Sequence, residues 1–475
     1  MSGRVGPLKP LTPPFINTYS MDFDGVDDYV DCGVITSLNG LSAASWSCWL
    51  KISPSETFVS PFGQDEVGGN NGIRLFLMSS GRVDIYLSAL KYRVQSNATI
   101  IGVFDNEWHN LTVTFNNTNS PTNDICKLYI DGVNVPNAST ASTAVLPTLT
   151  EPFTIGRWEQ NAYNFGGNID EFAIWDSELL QAEVTSIGGG TPTDLSLLAT
   201  PPINWYRMGD NGSYKSPQWL LPNNENKDKV SNYSFDFDGV DDYIDLGDLS
   251  ELGGQSQVSV SLWFKRSDNS NRILLDFKEG SSRIAIQFYN TTTLYIYING
   301  VSYNVAIPSF ALNTWYNLTY VFDGNGSTNA DRLKLYIDGV NLIGGTYSAT
   351  VPTAVGSFTS SMITRLGSLY INSYGWKGNI DEVSIFNSAI SIGDVWDGSG
   401  EPIDVSLVSG IVSYYKMGEE ATFSGGVWTV PDQVGSNDGT SNAMAIEDRV
   451  GSAPSSSNNA VSFNMDLIDR VEDTP

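Results

Sequence analysis

The residues whose types and spacing best suit chemistry are the aspartates of Asp24-Gly25-Val26-Asp27-Asp28, which return as Asp238-Gly239-Val240-Asp241-Asp242. Clustered carboxylates beside a turn glycine offer several hard oxygen ligands, the donor type that calcium takes. The expected cofactor is therefore Ca2+, one ion per copy. The alternative is that these aspartates only cap turns and hold Gly25 or Gly239 in place. The pattern is looser than an EF-hand loop, in which the ligand positions are fixed.

A second chemistry is sugar recognition, in which rings stack on pyranose faces beside hydrogen-bonding Asp, Asn and Arg side chains. Trp158, Tyr163 and Phe165 in one copy, and Tyr370, Tyr374 and Trp376 in the other, lie in loop-like sequence. They precede Asn168-Ile169-Asp170-Glu171 and Asn379-Ile380-Asp381-Glu382, and Arg157 and Arg365 are nearby. Arg157, Trp158, Tyr163, Arg365, Tyr374 and Trp376 are the candidate ligand-binding residues. The competing reading is that these rings close one end of a sandwich or pack against the neighbouring module. Trp46, Trp108 and Trp315 are read as core.

Catalytic residues are not expected. The single histidine, His109, aligns with Tyr316, so imidazole chemistry cannot belong to the module as such. Glycoside hydrolysis needs two carboxylates at a defined separation across the scissile bond, and no such pair recurs in both copies.

The elements that must position these groups come from a duplication. Tyr19–Gly33 is repeated almost unchanged as Tyr233–Gly247, Trp108–Thr112 as Trp315–Thr319, Lys127–Asn134 as Lys334–Asn341 and Gly167–Glu171 as Gly378–Glu382. Tyr206–Asp210 then matches Tyr415–Glu419. Blocks in one order at so long a period mean tandem domains and not a solenoid. Ser45–Ile52 alternates, with Trp46, Cys48, Leu50 and Ile52 on one face, and Val260, Leu262 and Phe264 form the matching inner face. Leu111, Val113 and Phe115, and Leu318, Tyr320 and Phe322, alternate in the same way, as strands with one buried face do. Asp131-Gly132, Asp338-Gly339 and Asn299-Gly300 supply the positive φ angles of tight hairpins. Many short strands joined by polar turns predict an all-β chain of two antiparallel β-sandwich, jelly-roll domains. Helix is confined to Ser177–Ile187 and a weaker counterpart at Ser388–Trp396.

The expected organisation is an N-terminal arm (1–18), a first jelly roll (19–187), a closing strand and connector (188–232), a second jelly roll (233–398) and a closing strand with C-terminal tail (399–475). Val461-Ser462-Phe463-Asn464-Met465 echoes Tyr233–Phe237 and then stops, so 420–475 reads as a loosely ordered tail or an arm that docks on a partner.

The chain of 475 residues has 41% hydrophobic and 12% aromatic residues, enough for real cores. A net charge of -28 argues against a nucleic-acid partner, because phosphate binding needs a cationic surface. No stretch is apolar enough to cross a bilayer and no secretory signal is apparent, so membrane insertion is not expected. Cys32, Cys48 and Cys126 align with Leu246, Leu262 and Leu333, so they read as small buried hydrophobes and not as disulfides or metal ligands, which favours maturation in a reducing compartment. Asparagine sequons at Asn97, Asn110 and Asn317 are not expected to be glycosylated, and two of them fall inside predicted strands.

Phe23–Val30, the Trp108–Phe115 strand, Leu128–Val133 and Gly167–Trp175 together resemble the concanavalin A-like, laminin-G-like jelly-roll domain, over roughly 19–187 and 233–398. That resemblance implies two stacked antiparallel sheets, often one calcium ion, and carbohydrate or protein binding. It also implies that Asp170 and Asp381 approach the aspartate turns as further metal ligands. Hydrolases of this superfamily carry Glu-x-Asp-x-(x)-Glu on one strand, which Asp170–Asp176 and Asp381–Asn387 do not match. The acidic composition, polar arms and Asn/Ser/Thr-rich loops resemble virion proteins of marine tailed phages. The implied role is a non-enzymatic structural and adhesion protein on the particle surface (a capsid decoration, fibre or tail-associated component), homo-oligomeric and anchored to other virion proteins through arm or tail, with glycans as ligands. The alternatives are a secreted or cell-surface carbohydrate-binding adhesion protein and a glycoside-active enzyme with degenerate motifs.

Overall fold

A computed structural model describes the chain except residues 1–14, 66–71, 89, 95–97, 120–123, 137–144, 159–162, 343–346 and 348. The N-terminal arm expected over 1–18 and the sequon at Asn97 thus fall largely or wholly outside the described residues. The chain forms two compact units, one of residues up to Tyr29, Val34–Gly212 and Leu467–Pro475, the other of Val30–Gly33 and Ser213–Asp466.

Each unit is an antiparallel β-sandwich, and the sheets follow the repeated blocks. In the first unit one sheet runs Val133–Val135, Cys126–Ile130, Trp108–Asn116, Ala43–Ile52, Gly166–Trp175, Ser20–Asp24 and Arg470–Val471. Asn204–Tyr206 also pairs with Gly166–Trp175. Facing it are Thr154–Ile155, Phe62–Asp65, Gly72–Met78, Val83–Ser88 and Leu90–Val94. The second unit repeats the first sheet as Val340–Asn341, Leu333–Ile337, Trp315–Asp323, Gln257–Arg266, Lys377–Phe386, Ser234–Asp238 and Arg449–Val450. Its other sheet runs from Val301–Ala306 through Thr293–Ile298, Ser282–Phe288, Arg272–Glu279 and Ile363–Leu366 to Tyr243–Asp245, and then Gly439–Asn442, Val427–Val430 and Thr422–Ser424.

Local chemistry explains the corners. Asp131 and Gly132 (φ 51° and 74°), Asp338 and Gly339 (46° and 75°), and Asn299 and Gly300 (49° and 80°) all take positive φ, as two-residue hairpins of matching twist require. Gly167 and Gly378 are forced for another reason. A Cβ on either would lie 2.1 Å from the carbonyl oxygen of Lys51 or Lys265 on the adjacent strand.

Ala43–Ile52 is buried on both faces and not on one. The period-two pattern survives, but the outward side is roofed by a second cluster of Trp175, Leu179, Val184, Ile187 and Trp205. Ser45 fits there because its hydroxyl donates to Ser177 O and accepts from Leu179 N. The predicted helix forms over Gln181–Gly188 and supplies part of this roof, whereas its counterpart in the second unit shortens to one turn, Ile392–Asp394. Cys32, Cys48 and Cys126 are buried free thiols, and burial raises the Cys48 and Cys126 thiols far above their ordinary value. Asn110 and Asn317 are buried, with Asn110 Nδ2 donating to Ser47 Oγ at 3.2 Å.

The segment expected as a loose tail is folded. Ser441–Val450 and Ser462–Val471 are equivalent decapeptides: Met444 and Met465 are both buried, and Ala443 and Asn464 both have φ 63°. Trp428 N donates to Ser441 Oγ at 2.8 Å and Trp428 Nε1 donates to Ala445 O at 2.7 Å. Trp219 repeats this with Ser462 Oγ and Asp466 O, both at 2.8 Å. The likeness of Val461–Met465 to Tyr233–Phe237 therefore misled; the stretch matches Thr440–Met444. The chain leaves the first unit at Gly212 and returns to it at Leu467, where Arg470–Val471 pairs with Ser20 and Met21.

Candidate functional site

In each unit the aspartate turn follows the first strand. Asp24 N donates to Asp28 Oδ2 at 2.8 Å, and Val26 N and Asp27 N donate to Asp24 Oδ1 at 2.7 and 3.2 Å. Asp238 N donates to Asp242 Oδ2 at 2.8 Å and Val240 N to Asp238 Oδ1 at 2.6 Å. Each trio brings carboxylate oxygens within 4.8 Å of one another, and burial pushes Asp28 and Asp242 up to about 7. The donor type suits calcium. Yet two of the carboxylates in each trio already close the turn through its own backbone, so its shape is satisfied by capping.

Asp170 and Asp381 do not join these turns. Antiparallel pairing sets Asp24 opposite Gly166 and Met21 opposite Ile169, so the strand carries Asp170 away from the turn. Phe235 opposite Ile380 does the same for Asp381. Both aspartates are fully buried. A register shift follows each, with Glu171 and Glu382 at φ 48° and 49°, so that two consecutive acidic residues enter the same protected region. In the first unit Arg207 Nε donates to Glu171 Oε1 at 3.0 Å and Trp205 Nε1 to Glu171 Oε2 at 2.5 Å. In the second, Tyr414 OH donates to Glu382 Oε2. Burial raises Glu171 and Glu382 to about 7 and Glu419 to about 8. Sequence reasoning missed these groups as a set, although their signal was present: the repeated Asp-Glu and the repeated Tyr-(Arg/Lys)-Met-Gly-(Asp/Glu).

The aromatic candidates divide. Trp376 and Phe165 are core residues with 0% exposure, because the strand that follows the loop draws them inward, and Trp376 packs on Phe264 and Phe288. Arg157 lies over the Tyr29 ring at 3.1 Å and Arg365 over the Tyr243 ring at 4.0 Å. These are equivalent stacks built from non-equivalent positions, and Arg365 also donates to Leu369 O at 3.1 Å.

Trp158 and Tyr163 reach the surface of the sheet, stacked at 5.9 Å with Tyr163 47% exposed. Arg74 sits between the Tyr86 and Trp158 rings at 4.9 and 5.5 Å. The second unit builds a like face from other residues. Arg283 lies over Tyr297 at 4.3 Å and Tyr370 at 6.0 Å, and Lys278 over Tyr370 at 4.7 Å. Tyr289 stacks on Tyr295 at 4.8 Å, and Tyr374 is 47% exposed. Asp276, 2.6 Å from Arg283 Nε, also accepts from Tyr370 N at 3.0 Å and so fixes the guanidinium between the rings. Arg74, Tyr86, Arg283, Tyr295 and Tyr297 were missed because they lie on strands, where alternation marks only which residues face outward. Trp108 and Trp315 are half-buried at the first positions of strands that lie inside their sheets, and are not central to the core.

His109 bonds Asp131 Oδ2 through Nδ1 at 2.8 Å and lies 3.4 Å from Asp105. The Asp131 hydrogen bond, with both negative charges, raises its pKa above 6.5 despite burial. The stabilisation is complete below the unfolded value and is lost as pH rises through the higher folded value. Urea melts at pH 6 and pH 8 are expected to show the first unit less stable at pH 8, and His109→Tyr, the residue type at position 316, is expected to remove that difference.

The family profile described as the concanavalin A-like lectin/glucanases superfamily, of laminin-G type, matches residues 24–185 and 238–395. The chain belongs to this superfamily, as two tandem jelly-roll copies. No curated protein sequence matches it. Among solved structures it is similar to domains LG4-5 of the mouse laminin alpha1 chain (11% identity, 85% of this chain and 98% of that one, TM-score 0.27). It is also similar to a candidate carbohydrate-binding protein of Bacteroides ovatus (12%, 86% and 95%, TM-score 0.35). A third similarity is to the CBM40 of the Ruminococcus gnavus IT-sialidase (16%, 36% and 97%, TM-score 0.30). No helix among the described residues is long and apolar enough to cross a membrane.

Proposed function

We propose that the chain is a non-enzymatic adhesion protein that binds glycans on the aromatic–guanidinium face of each unit. One observation carries this reading: both units place an arginine between two rings on the outward side of a sheet, Arg74 with Tyr86 and Trp158, and Arg283 with Tyr297 and Tyr370. Half-exposed rings stack on sugar faces, and a held guanidinium supplies directed donors for hydroxyl or carboxylate groups. That the two faces use different residues fits a pair of sites with distinct preferences, and weak sites gain by being linked. A non-enzymatic role is consistent with the enclosure of Asp170, Glu171, Asp381 and Glu382, since acid–base carboxylates must face the scissile bond. A place on a phage particle, with arms or tail contacting other virion proteins, rests on the sequence likeness, and mass spectrometry of purified particles would test it.

Glycan-array binding by the full chain is expected to weaken about tenfold for Tyr297→Ala or Trp158→Ala, the scale of one lost stacking ring. Arg283→Ala is expected to do the same for ligands of the second unit. Variants that fold normally by near-UV circular dichroism yet bind as the parent does would remove these faces from the site.

A further inference from the structure

The two aromatic faces differ in charge, and the sheet register shows where. Gly156 and Gly367 are equivalent, since a Cβ on either would strike the ring of Phe23 or Phe237, at 2.4 and 2.6 Å. The strands just before them pair Ile155 with Phe62 and Leu366 with Leu275, so Phe62 corresponds to Leu275. Asp65 and its partner Gly72 then stand where the second unit has Lys278 and its partner Arg283. Arg74 stands two residues along, at the place of Ala285, opposite Tyr86 as Ala285 is opposite Tyr297.

Lys278 and Arg283 are thus like charges directly across a strand pair, an arrangement that destabilises a sheet unless a counter-charge lies between them. Both are half-buried and share the Tyr370 ring, at 4.7 and 6.0 Å. The neighbouring carboxylates are engaged elsewhere. Asp276 gives one oxygen to Arg283 Nε at 2.6 Å and the other to Tyr370 N at 3.0 Å. Glu279 accepts from Thr359 N and Oγ1 at 2.5 and 2.7 Å. Asp245, opposite Arg365, accepts from Gly247 N and Thr364 Oγ1 at 3.0 and 3.1 Å. Among the described residues Lys278 forms no ion pair and donates to Gly280 O, and Arg283 donates through Nε alone. One buried carboxylate therefore stands against two cations, and the surplus positive charge lies beside exposed rings.

We propose that the glycan bound by the second unit carries an acidic group, a carboxylate or a sulfate, seated between Lys278 and Arg283. This rests on the glycan-binding reading above and adds to it a charge requirement that the first unit, with Asp65 and Gly72 at those positions, does not share. The guanidinium, held at Nε by Asp276, presents its two Nη groups as a fork that fits two oxygens of an oxyanion. The Lys278 ammonium adds a point charge from the neighbouring strand, and the Tyr370 ring steadies both cations. The net charge of -28 sets a limit on the ligand, because it repels a polyanion as a whole. Screening over about 8 Å at physiological salt still lets one local cation pair attract one acidic group. An isolated acidic sugar residue therefore fits, and a polysulfated chain does not.

The test uses the full chain with Trp158→Ala as background, so that the first unit's face does not contribute. An array pairs neutral oligosaccharides with their uronate-terminated and monosulfated forms, and calorimetry then measures the best-bound set together with the methyl ester of the uronate. One acidic form is expected to bind about tenfold tighter than its neutral parent, the scale of one charge-assisted contact, and the two arms separate carboxylate from sulfate. Raising salt from about 0.05 to about 0.5 M is expected to remove most of that preference. Lys278→Gln is expected to lose the tenfold for the acidic form and leave the neutral form and the ester unchanged, whereas Tyr297→Ala weakens all of them. Equal affinity for neutral and acidic forms, or a preference that Lys278→Gln leaves intact, overturns the proposal while Tyr297-dependent binding still upholds the glycan reading. If no glycan binds in a Tyr297-dependent way, that reading falls and the proposal falls with it.

Discussion

Arg449→Ala is expected to abolish cooperative folding of the second unit. Arg449 is 1% exposed and uses its guanidinium as a central connector. Nε donates to Gln218 Oε1 at 3.0 Å, Nη1 to Gly418 O and Ala421 O at 3.2 and 2.9 Å, and Nη2 to Lys215 O at 3.0 Å. The Trp428 ring lies 4.5 Å away. Truncation leaves three backbone carbonyls and one amide oxygen without their donor, each costing about 1–3 kcal/mol when buried, and opens a cavity besides. The total is of the same order as the whole stability of a typical domain, about 5–15 kcal/mol. Burial pulls the guanidinium down to about 9, so it remains charged at neutral pH and Arg449→Lys recovers only part of the loss. Arg470, its counterpart in the first unit, is half-buried and lies over the Tyr19 ring at 3.7 Å, so Arg470→Ala is expected to cost less. Urea melts followed by tryptophan fluorescence decide this. An Arg449→Ala protein within about 1 kcal/mol of the parent would mean that water replaces the guanidinium at little cost.

Deleting Leu467–Pro475 is expected to lower the first unit's melting transition and leave the second's in place. The segment pairs Val471 and Arg470 with Ser20 and Met21. Asp473 then joins three strands: its carboxylate accepts from Trp108 Nε1 at 2.9 Å and from Lys51 Nζ at 2.7 Å, and its carbonyl accepts from Ser20 Oγ at 2.5 Å. Hydrogen bonds to a charged partner contribute about 1.5–3 kcal/mol each and neutral ones about 1, so a loss of about 4 kcal/mol is expected after discounting the exposed lysine pair. Scanning calorimetry of the truncated chain is the measurement. A loose tail would leave both transitions unmoved.

Much of the fold was legible in the sequence because its causes are local. Period-two alternation, Asp-Gly and Asn-Gly hairpins and the repeated Gly-Asn-Ile-Asp-Glu strand each state a requirement that neighbouring residues meet. Comparing Cys32, Cys48 and Cys126 with leucines marked them as small buried hydrophobes, and all three are buried free thiols. The Asp24 and Asp238 turns were legible too, as acidic glycine turns, and their self-capping follows from residues two and four apart.

What only the tertiary structure decided concerns partners distant in the chain. Asp170 was read towards the turn; antiparallel register sends it the other way, to Asn17 and Glu171. Trp376 read as a surface ring and is core, while Arg283 and Tyr297, which alternation could not single out, stack on the partly exposed side of their sheet. The return of Leu467–Pro475 to the first unit depends on pairing with residues near the other end of the chain, which no local pattern encodes. By itself the sequence determined that one β-sandwich module is used twice, because periodicity and turn chemistry are written within a few residues. That Arg207 neutralises Glu171 and Asp210 together was decided by burial and register, because the energy of a charge depends on what the folded chain brings beside it.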